Sequence, residues 1–516
     1  MMRQFSRFAL WLTLFVSVAT IASPRSNLDQ LLEENNTGKT ETSRVTTSPE
    51  TLALLDKLQA EDAAPEKPNP ANVEPLPAPV KAPEWIMDEN SSIEENCNLA
   101  SATRVKHFSA ALLLALCKDP EMRSLALNIR HYLYDYKKSQ ASWMPDINAI
   151  FSRASESDSY DLRHGGTQTQ TNRTVDSGLE LNWLLFDFGK REALIDMKKD
   201  LWLSNRYQAL SGLQDYVIAF AQTWYNVQAK RTILLAARQN ETIARKTWDI
   251  TQNKYRSGVG VLADALQAEN VLLSATQQRI QSEGDYQQAT GQLASALNVP
   301  VDTPVQPEED LKVPTEVQIQ ALKPLLDEAI KQHPLILAAK KNIEAADQQL
   351  TQAQRDFMPS ISLQAGMNRE TSSLDQHRYA PIDKTDTLYV GLNVTVPLFS
   401  GFRRYNQLQD AHVQKELSEQ DYQKVVNDVG LKTWNAWQQL NTTSRNLRLI
   451  SQRLETAQRA YEIANGRYLT GVGSIIELLN TQQQLSATEI DEANIRIAWY
   501  LQRLSLLSAV GKLTLY

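Results

Sequence analysis

Proline is missing from two stretches of nearly 70 residues, Asp187 to Tyr255 and Ser400 to Tyr468, although the chain of 516 residues holds 20 prolines elsewhere. Glycine is almost absent from the same stretches, so nothing in them breaks a long helix. Cysteine occurs twice, at Cys97 and Cys117, too rarely for a disulfide-stapled scaffold or a cysteine zinc site. The six histidines (107, 131, 164, 333, 377 and 412) stand singly, with none at metal-ligand spacing. No nucleophile–base pair or glycine-rich phosphate loop marks an enzyme, and no cofactor motif occurs. A basic surplus is also missing: 53 lysines and arginines face 60 acidic residues, a net charge of −7, which excludes a nucleic-acid-binding surface. The mean hydropathy of −0.40 is too polar for a multi-helix membrane protein. The only sustained apolar run, Phe8 to Ala22, is shorter than the roughly 20 residues needed to cross a bilayer.

That run follows Arg3 and Arg7 and ends in Thr20-Ile21-Ala22, which predicts a signal peptide over residues 1–22, cleaved after Ala22. An uncleaved anchor is the alternative. Residues 23–90 form a polar extension crowded with proline (Pro65, Pro68, Pro70, Pro75, Pro77, Pro79, Pro83), expected to be largely disordered, with a short helix at residues 49–58. Export to an oxidising compartment favours a bridge between Cys97 and Cys117 over two free thiols.

The body of the chain is written twice. Tyr255-Arg256-Ser257-Gly258-Val259-Gly260 returns as Tyr468-Leu469-Thr470-Gly471-Val472-Gly473, an offset of 213 (468 − 255). At the same offset Trp224 meets Trp437, Asp264 meets Glu477 and Leu185-Phe186 meets Leu398-Phe399. The first repeat covers residues 91–310 and the second 311–516. A duplication of this kind builds one supersecondary unit twice, and neither copy need bury its apolar face alone.

Each unit opens with paired helices divided at Asp119-Pro120 and at His333-Pro334, where proline suits the first turn of the second helix. Both second helices run out at Met-Pro, and the period then changes from 3.6 to 2. Ile361, Leu363, Ala365 and Met367 alternate with polar residues, and Leu388, Val390, Leu392 and Val394 return; the first copy has Ile147, Ala149 and Phe151, then Leu179, Leu181 and Trp183. The hairpins lie at about 146–186 and 360–398. Their apolar strands of about ten residues match a tilted membrane-spanning strand, and polar loops are expected at Ser155 to Thr174 and Glu370 to Asp386. Four strands cannot close a barrel, so if they enter lipid several chains must pool them; a soluble four-stranded sandwich is the alternative. The proline-free stretches predict rods of roughly 100 Å. Each returns through its glycine pair as a shorter helix, giving coiled-coil hairpins at 187–297 and 400–510.

This pattern resembles the TolC family of outer-membrane exit ducts over about Phe108 to Leu513. The residues that carry the resemblance are Leu185-Phe186-Asp187-Phe188-Gly189 and Pro397-Leu398-Phe399-Ser400-Gly401 at the strand-to-helix junctions, with Tyr255…Gly258…Asp264 and Tyr468…Gly471…Glu477 at the helix turns. The resemblance implies a mainly α, α+β fold in a homotrimer. Four strands per chain make one twelve-stranded transmembrane barrel in outer-membrane lipid, and the helices form a periplasmic tunnel. It implies a passive export duct that meets a periplasmic adaptor protein and an inner-membrane transporter. Carried over by position, Gly258, Val259, Gly260, Gly471, Val472 and Gly473 are adaptor-docking turns, and Tyr255, Tyr468, Asp264 and Glu477 belong to the gate and its selectivity. Two departures stand out: an arginine of the family's gate falls at Gly473, and the first junction has Leu184 where the second has Pro397. The stretch Leu116-Cys117-Lys118-Asp119-Pro120 looks like members that serve type I protein secretion beside an ABC transporter. The alternative is multidrug efflux beside an RND transporter.

Three copies of Glu477 in a narrow mouth would repel one another and favour cations. The bland alternative is that Asp264 and Glu477 cap the N-termini of their helices. Trp224 and Trp437 read as packing residues. A purely structural coiled-coil surface protein would need no returning strand hairpins.

Overall fold

The computed structural model describes residues 107–303 (except 162 and 164), 305, 307, 321–374 and 384–513. The expected signal peptide, the proline-rich extension, its short helix and Cys97 lie outside them.

The first repeat begins with α1 (Phe108–Lys118) and α2 (Pro120–Gln140). Asp119 divides them: its carboxylate accepts from the backbone N–H of Glu121 and Met122, and Pro120 takes the first helical position. A short 3₁₀ turn, Ala141–Trp143, leads into β1 (Asp146–Asp161) and β2 (Thr167–Phe186). Then come α3 (Lys190–Arg256) and α4 (Leu262–Ala296). The second repeat runs α5 (Leu322–Gln332), α6 (Pro334–Arg355), β3 (Ser360–Leu374), β4 (Lys384–Thr395), α7 (Arg403–Leu469) and α8 (Ile475–Val510). His333 plays the part of Asp119, its Nδ1 accepting from the N–H of Leu335. Both α3 and α7 have 67 residues, a rise of about 100 Å, and their bounds differ at both ends by the offset of 213 read from the sequence.

The strands form one antiparallel sheet in the order β1-β2-β3-β4. No second sheet packs on it among the described residues, which removes the sandwich alternative. The strands are longer than their apolar bands. Ser155, a residue expected in a loop, pairs with Arg173, and the ladder continues to Asp161 opposite Thr167. Alternating serine, threonine and acid hold that polar end together, as in Ser159–Thr169 and Thr167–Asp161, because cross-strand hydroxyl pairs stabilise a sheet without apolar burial. Phe151, Leu388, Val390, Leu392 and Val394 are exposed along the sheet, and no helix among the described residues is long and apolar enough to cross a membrane.

The buried core runs across both repeats, with Leu507 and Leu513 of the second packed into the cluster built mainly by the first. Leu112, Leu116, Met122, Phe220, Trp224, Leu293 and Leu297 join α1 to α4. Leu325, Leu440, Leu447, Trp499, Leu506 and Val510 join α5, α7 and α8. Trp224 is wholly buried and Trp437 packs beside the second core, so both are packing residues.

Candidate functional site

The glycine turns lie at the ends of α3 and α7, some 100 Å of helix from the strands. In the first turn the Lys254 carbonyl accepts from Val259 at 3.0 Å and from Gly260 at 2.9 Å. In the second the Arg467 carbonyl accepts from Val472 and Gly473 at 3.0 and 2.9 Å. This is the left-handed helix stop that glycine permits, with φ of 76° at Gly258 and 82° at Gly471. Ser257 and Thr470 fold their hydroxyls back on the last carbonyls of each helix. Several apolar side chains remain outside: Val259, Val261, Leu262, Leu469, Val472 and Ile476 are all exposed.

The charged side chains break the symmetry of the turns. The Lys254 ammonium reaches across to the second hairpin, donating to the Tyr468 carbonyl at 3.0 Å and lying 4.0 Å from the centre of its ring. Tyr468 is buried with Ala464, Ile475, Leu478 and Leu479. Burial, and then the charge of Asp264, raises its phenol above the ordinary tyrosine range. Tyr255, its equivalent in the first repeat, is exposed. Arg467 does not mirror Lys254; it stays within its own hairpin and pairs with Glu477 at 2.8 Å. Asp264 and Glu477 each occupy the first turn of a helix, where an acid meets the positive helix end. The two basic residues escaped the sequence reading, although the repeat carries their signal: 467 − 254 is again 213. Gly473 offers no side chain, and the cation beside Glu477 is Arg467. Among the described residues no cluster could hold a metal.

These turns cap a twofold repeat of strand hairpin and long helical hairpin. The model of the outer membrane efflux protein family matches residues 111–299 and 325–512, one match to each repeat. The chain belongs to this family. Protein CyaE of Bordetella pertussis is 27% identical over 408 residues, covering 78% of this chain and 83% of that protein. The pyoverdine export outer membrane protein OpmQ of Pseudomonas aeruginosa is 22% identical over 412 residues, with coverages of 78% and 85%. Among solved structures, VceC of Vibrio cholerae aligns with a TM-score of 0.65 at 19% identity, over 78% of this chain and 96% of that one. The open state of MtrE of Neisseria gonorrhoeae aligns with a TM-score of 0.63 at 17% identity, over 87% and 97%.

Members of the outer membrane efflux protein family are channels and not enzymes. The chain is accordingly the outer-membrane channel of a tripartite export system, with its sheet in the outer membrane and its helical tunnel in the periplasm. It works as a trimer beside an adaptor and an inner-membrane transporter. The physics of the sheet requires such pooling, since β1 and β4 each leave an edge that lipid cannot satisfy.

Proposed function

We propose that this channel serves type I protein secretion, beside a transporter of the ABC class, with the glycine turns as its adaptor-docking and gating end. The observation that carries the cargo reading is the junction of α1 and α2. Leu116 to Pro120 resembles secretion-type members, and Cys117, buried at the end of α1, is disulfide-bonded. We assign its bridge to Cys97. At the turns, Gly258, Gly260, Gly471 and Gly473 form a rigid stop from which Val259 and Val472 project exposed apolar side chains, which suits a coiled-coil adaptor tip. Asp264, Glu477, Tyr255 and Tyr468 surround the narrow end.

Small-molecule efflux beside an RND transporter is the second reading, favoured by relatives whose names mention pyoverdine export and a toluene efflux pump. Deletion of the chain in its host separates the two. Loss of a large protein from the culture medium, with dye accumulation unchanged, is the expected result. Raised dye accumulation with an unchanged set of secreted proteins would overturn the secretion reading in favour of efflux.

A further inference from the structure

The sheet sorts its charges by face. Directly paired residues of neighbouring strands lie on the same face, so the register assigns every strand position to one side or the other. The last wholly apolar rung is Ala149, Leu179, Met367 and Leu388. Beyond it, away from the helices, the next three rungs of the same face hold the only basic residues of the four strands, one on each. Arg369 comes first, then Arg153 and Lys384 on one rung, then Arg173. All four are exposed. The opposite face carries Glu156, Asp158, Asp176, Glu180 and Glu370 and no base.

Only two strand acids share the basic face. Asp161 lies at the hairpin turn and accepts from the Thr167 hydroxyl at 3.0 Å. Asp386 is held by Arg369, whose Nε and Nη2 donate to its two oxygens at 2.6 and 3.1 Å. Lys384 stands beside that occupied carboxylate. Among the described residues no ion pair neutralises Arg153 or Arg173. Three positive charges per chain are therefore uncompensated on one side of the sheet. With strands about 4.8 Å apart and rungs about 7 Å apart, the four bases fit in a patch about 14 Å on a side.

We propose that this patch binds the phosphate groups of an anionic glycolipid in the outer leaflet of the outer membrane, chiefly through Arg153, Arg173 and Lys384. The helices lie in the periplasm, so the hairpin turns point to the cell exterior and the patch sits just above the apolar band on that side. There the hydrocarbon gives way to headgroups, and a lipid-facing base is stable where an anion meets it. Phe151, 81% exposed, lies on the Arg369 rung, so the face is apolar up to the edge of the patch. A guanidinium fork suits a phosphate's paired oxygens. A merely solvated rim gives no reason to turn the acids to the opposite face. The inference is independent of the cargo, since it concerns the outside of the barrel.

The test uses the intact trimer in a non-ionic detergent, with bound lipid read by native mass spectrometry. Lipopolysaccharide should bind, more weakly as salt rises from about 0.1 M to about 1 M, and its dephosphorylated form should bind poorly. Arg153→Gln/Arg173→Gln/Lys384→Gln should weaken binding about a hundredfold, since each base near anionic lipid contributes about fivefold. Arg153→Lys/Arg173→Lys, which keeps the charge, should retain most of the binding, and Glu156→Gln/Glu180→Gln on the other face should retain all of it. Equal binding by the triple glutamine variant, or of the dephosphorylated lipid, would overturn the proposal. Displacement of the lipid by inorganic phosphate would overturn the lipid as the source and make the patch a site for free anions. If the triple variant fails to assemble, the salt and dephosphorylation arms on the unaltered trimer decide.

Discussion

A methyl group at position 473 has nowhere to go. An added Cβ would lie 2.9 Å from the carbonyl carbon of Arg467 and from the nitrogen of Tyr468, both backbone atoms that cannot swing aside. At Gly260 the same atom would meet Lys254 and Tyr255 at 3.0 to 3.2 Å, tight but less severe. Gly473→Ala should therefore lower the stability of the second hairpin by about 2 kcal/mol, within the usual range for overpacking, and Gly260→Ala by less. Thermal melting of the two variants compares them, and equal melting points would refute the argument. His333 gives a second test at this scale. It is buried at the start of α6, and burial, then the charge of Lys432, holds its pKa down to about 4, against 6.5 unfolded. The unfolded chain binds the extra proton, so the stability from a neutral His333 is present above pH 6.5 and lost as pH falls toward 4. The difference of about 2.5 units is worth roughly 3 kcal/mol at about 1.36 kcal/mol per unit. Asparagine can keep the cap to Leu335 without titrating, so His333→Asn should flatten melting temperature against pH between 6.5 and 4. An unchanged slope would mean that other groups carry it. The sequence marked His333 as the residue before a helix-starting proline, but its burial depends on packing between helices far apart in the chain.

At the scale of elements, the two strand-to-helix elbows differ for reasons partly written in the chain. Phe188 and Gly189 are left-handed at the first, Gly401 and Phe402 at the second, so both elbows turn the same way. Leu184 stands where the second copy has Pro397. Proline has no N–H for the ladder, and β4 stops at Thr395 whereas β2 runs to Phe186. The first elbow carries a clamp that the motif did not announce. Arg191 is buried, stacks 3.6 Å from the Trp143 ring, and donates to the carbonyls of Ser142 and Leu184 at 2.9 and 2.8 Å. Its own N–H goes to the Asp187 carboxylate at 2.8 Å. Arg191→Met should cost at least about 2 kcal/mol, because it strands buried carbonyls. Arg191→Lys should fail to rescue, because an ammonium cannot fork between two carbonyls while stacked on indole. Heat resistance of the oligomer on gels measures both; rescue by lysine would reduce the clamp to a point charge. Hairpin positions were legible from the alternation of Ile361 to Met367 and Leu388 to Val394. Hairpin length was not, since beyond the apolar band the strands continue in serine, threonine and acid, which read as loop.

For the whole molecule, the duplication at 213 residues foretold both helical hairpins, because a constant offset survives only where insertions are not tolerated. The charge balance of the tip was not foretold. Counting acids alone gives a ring of Glu477 carboxylates that favours cations, but Arg467 lies 2.8 Å from each, and Lys254 stands at the equivalent place in the other repeat. Both members of the Arg467–Glu477 pair are well exposed, so the pair adds little stability. Its effect falls on the field in the mouth, where each arginine offsets one carboxylate. On the reading that Glu477 lines the narrow end, the two groups act on permeating ions with opposite sign. Arg467→Gln should raise the preference of the isolated channel for cations over anions, and Glu477→Gln should lower it. Both shifts should shrink in concentrated salt, where the screening length falls from about 10 Å at 0.1 M to about 3 Å at 1 M. Reversal potentials in planar bilayers under a salt gradient measure them. Shifts in the same direction, or none from either substitution at low salt, would remove this pair from the conducting path and leave docking as the role of the turns.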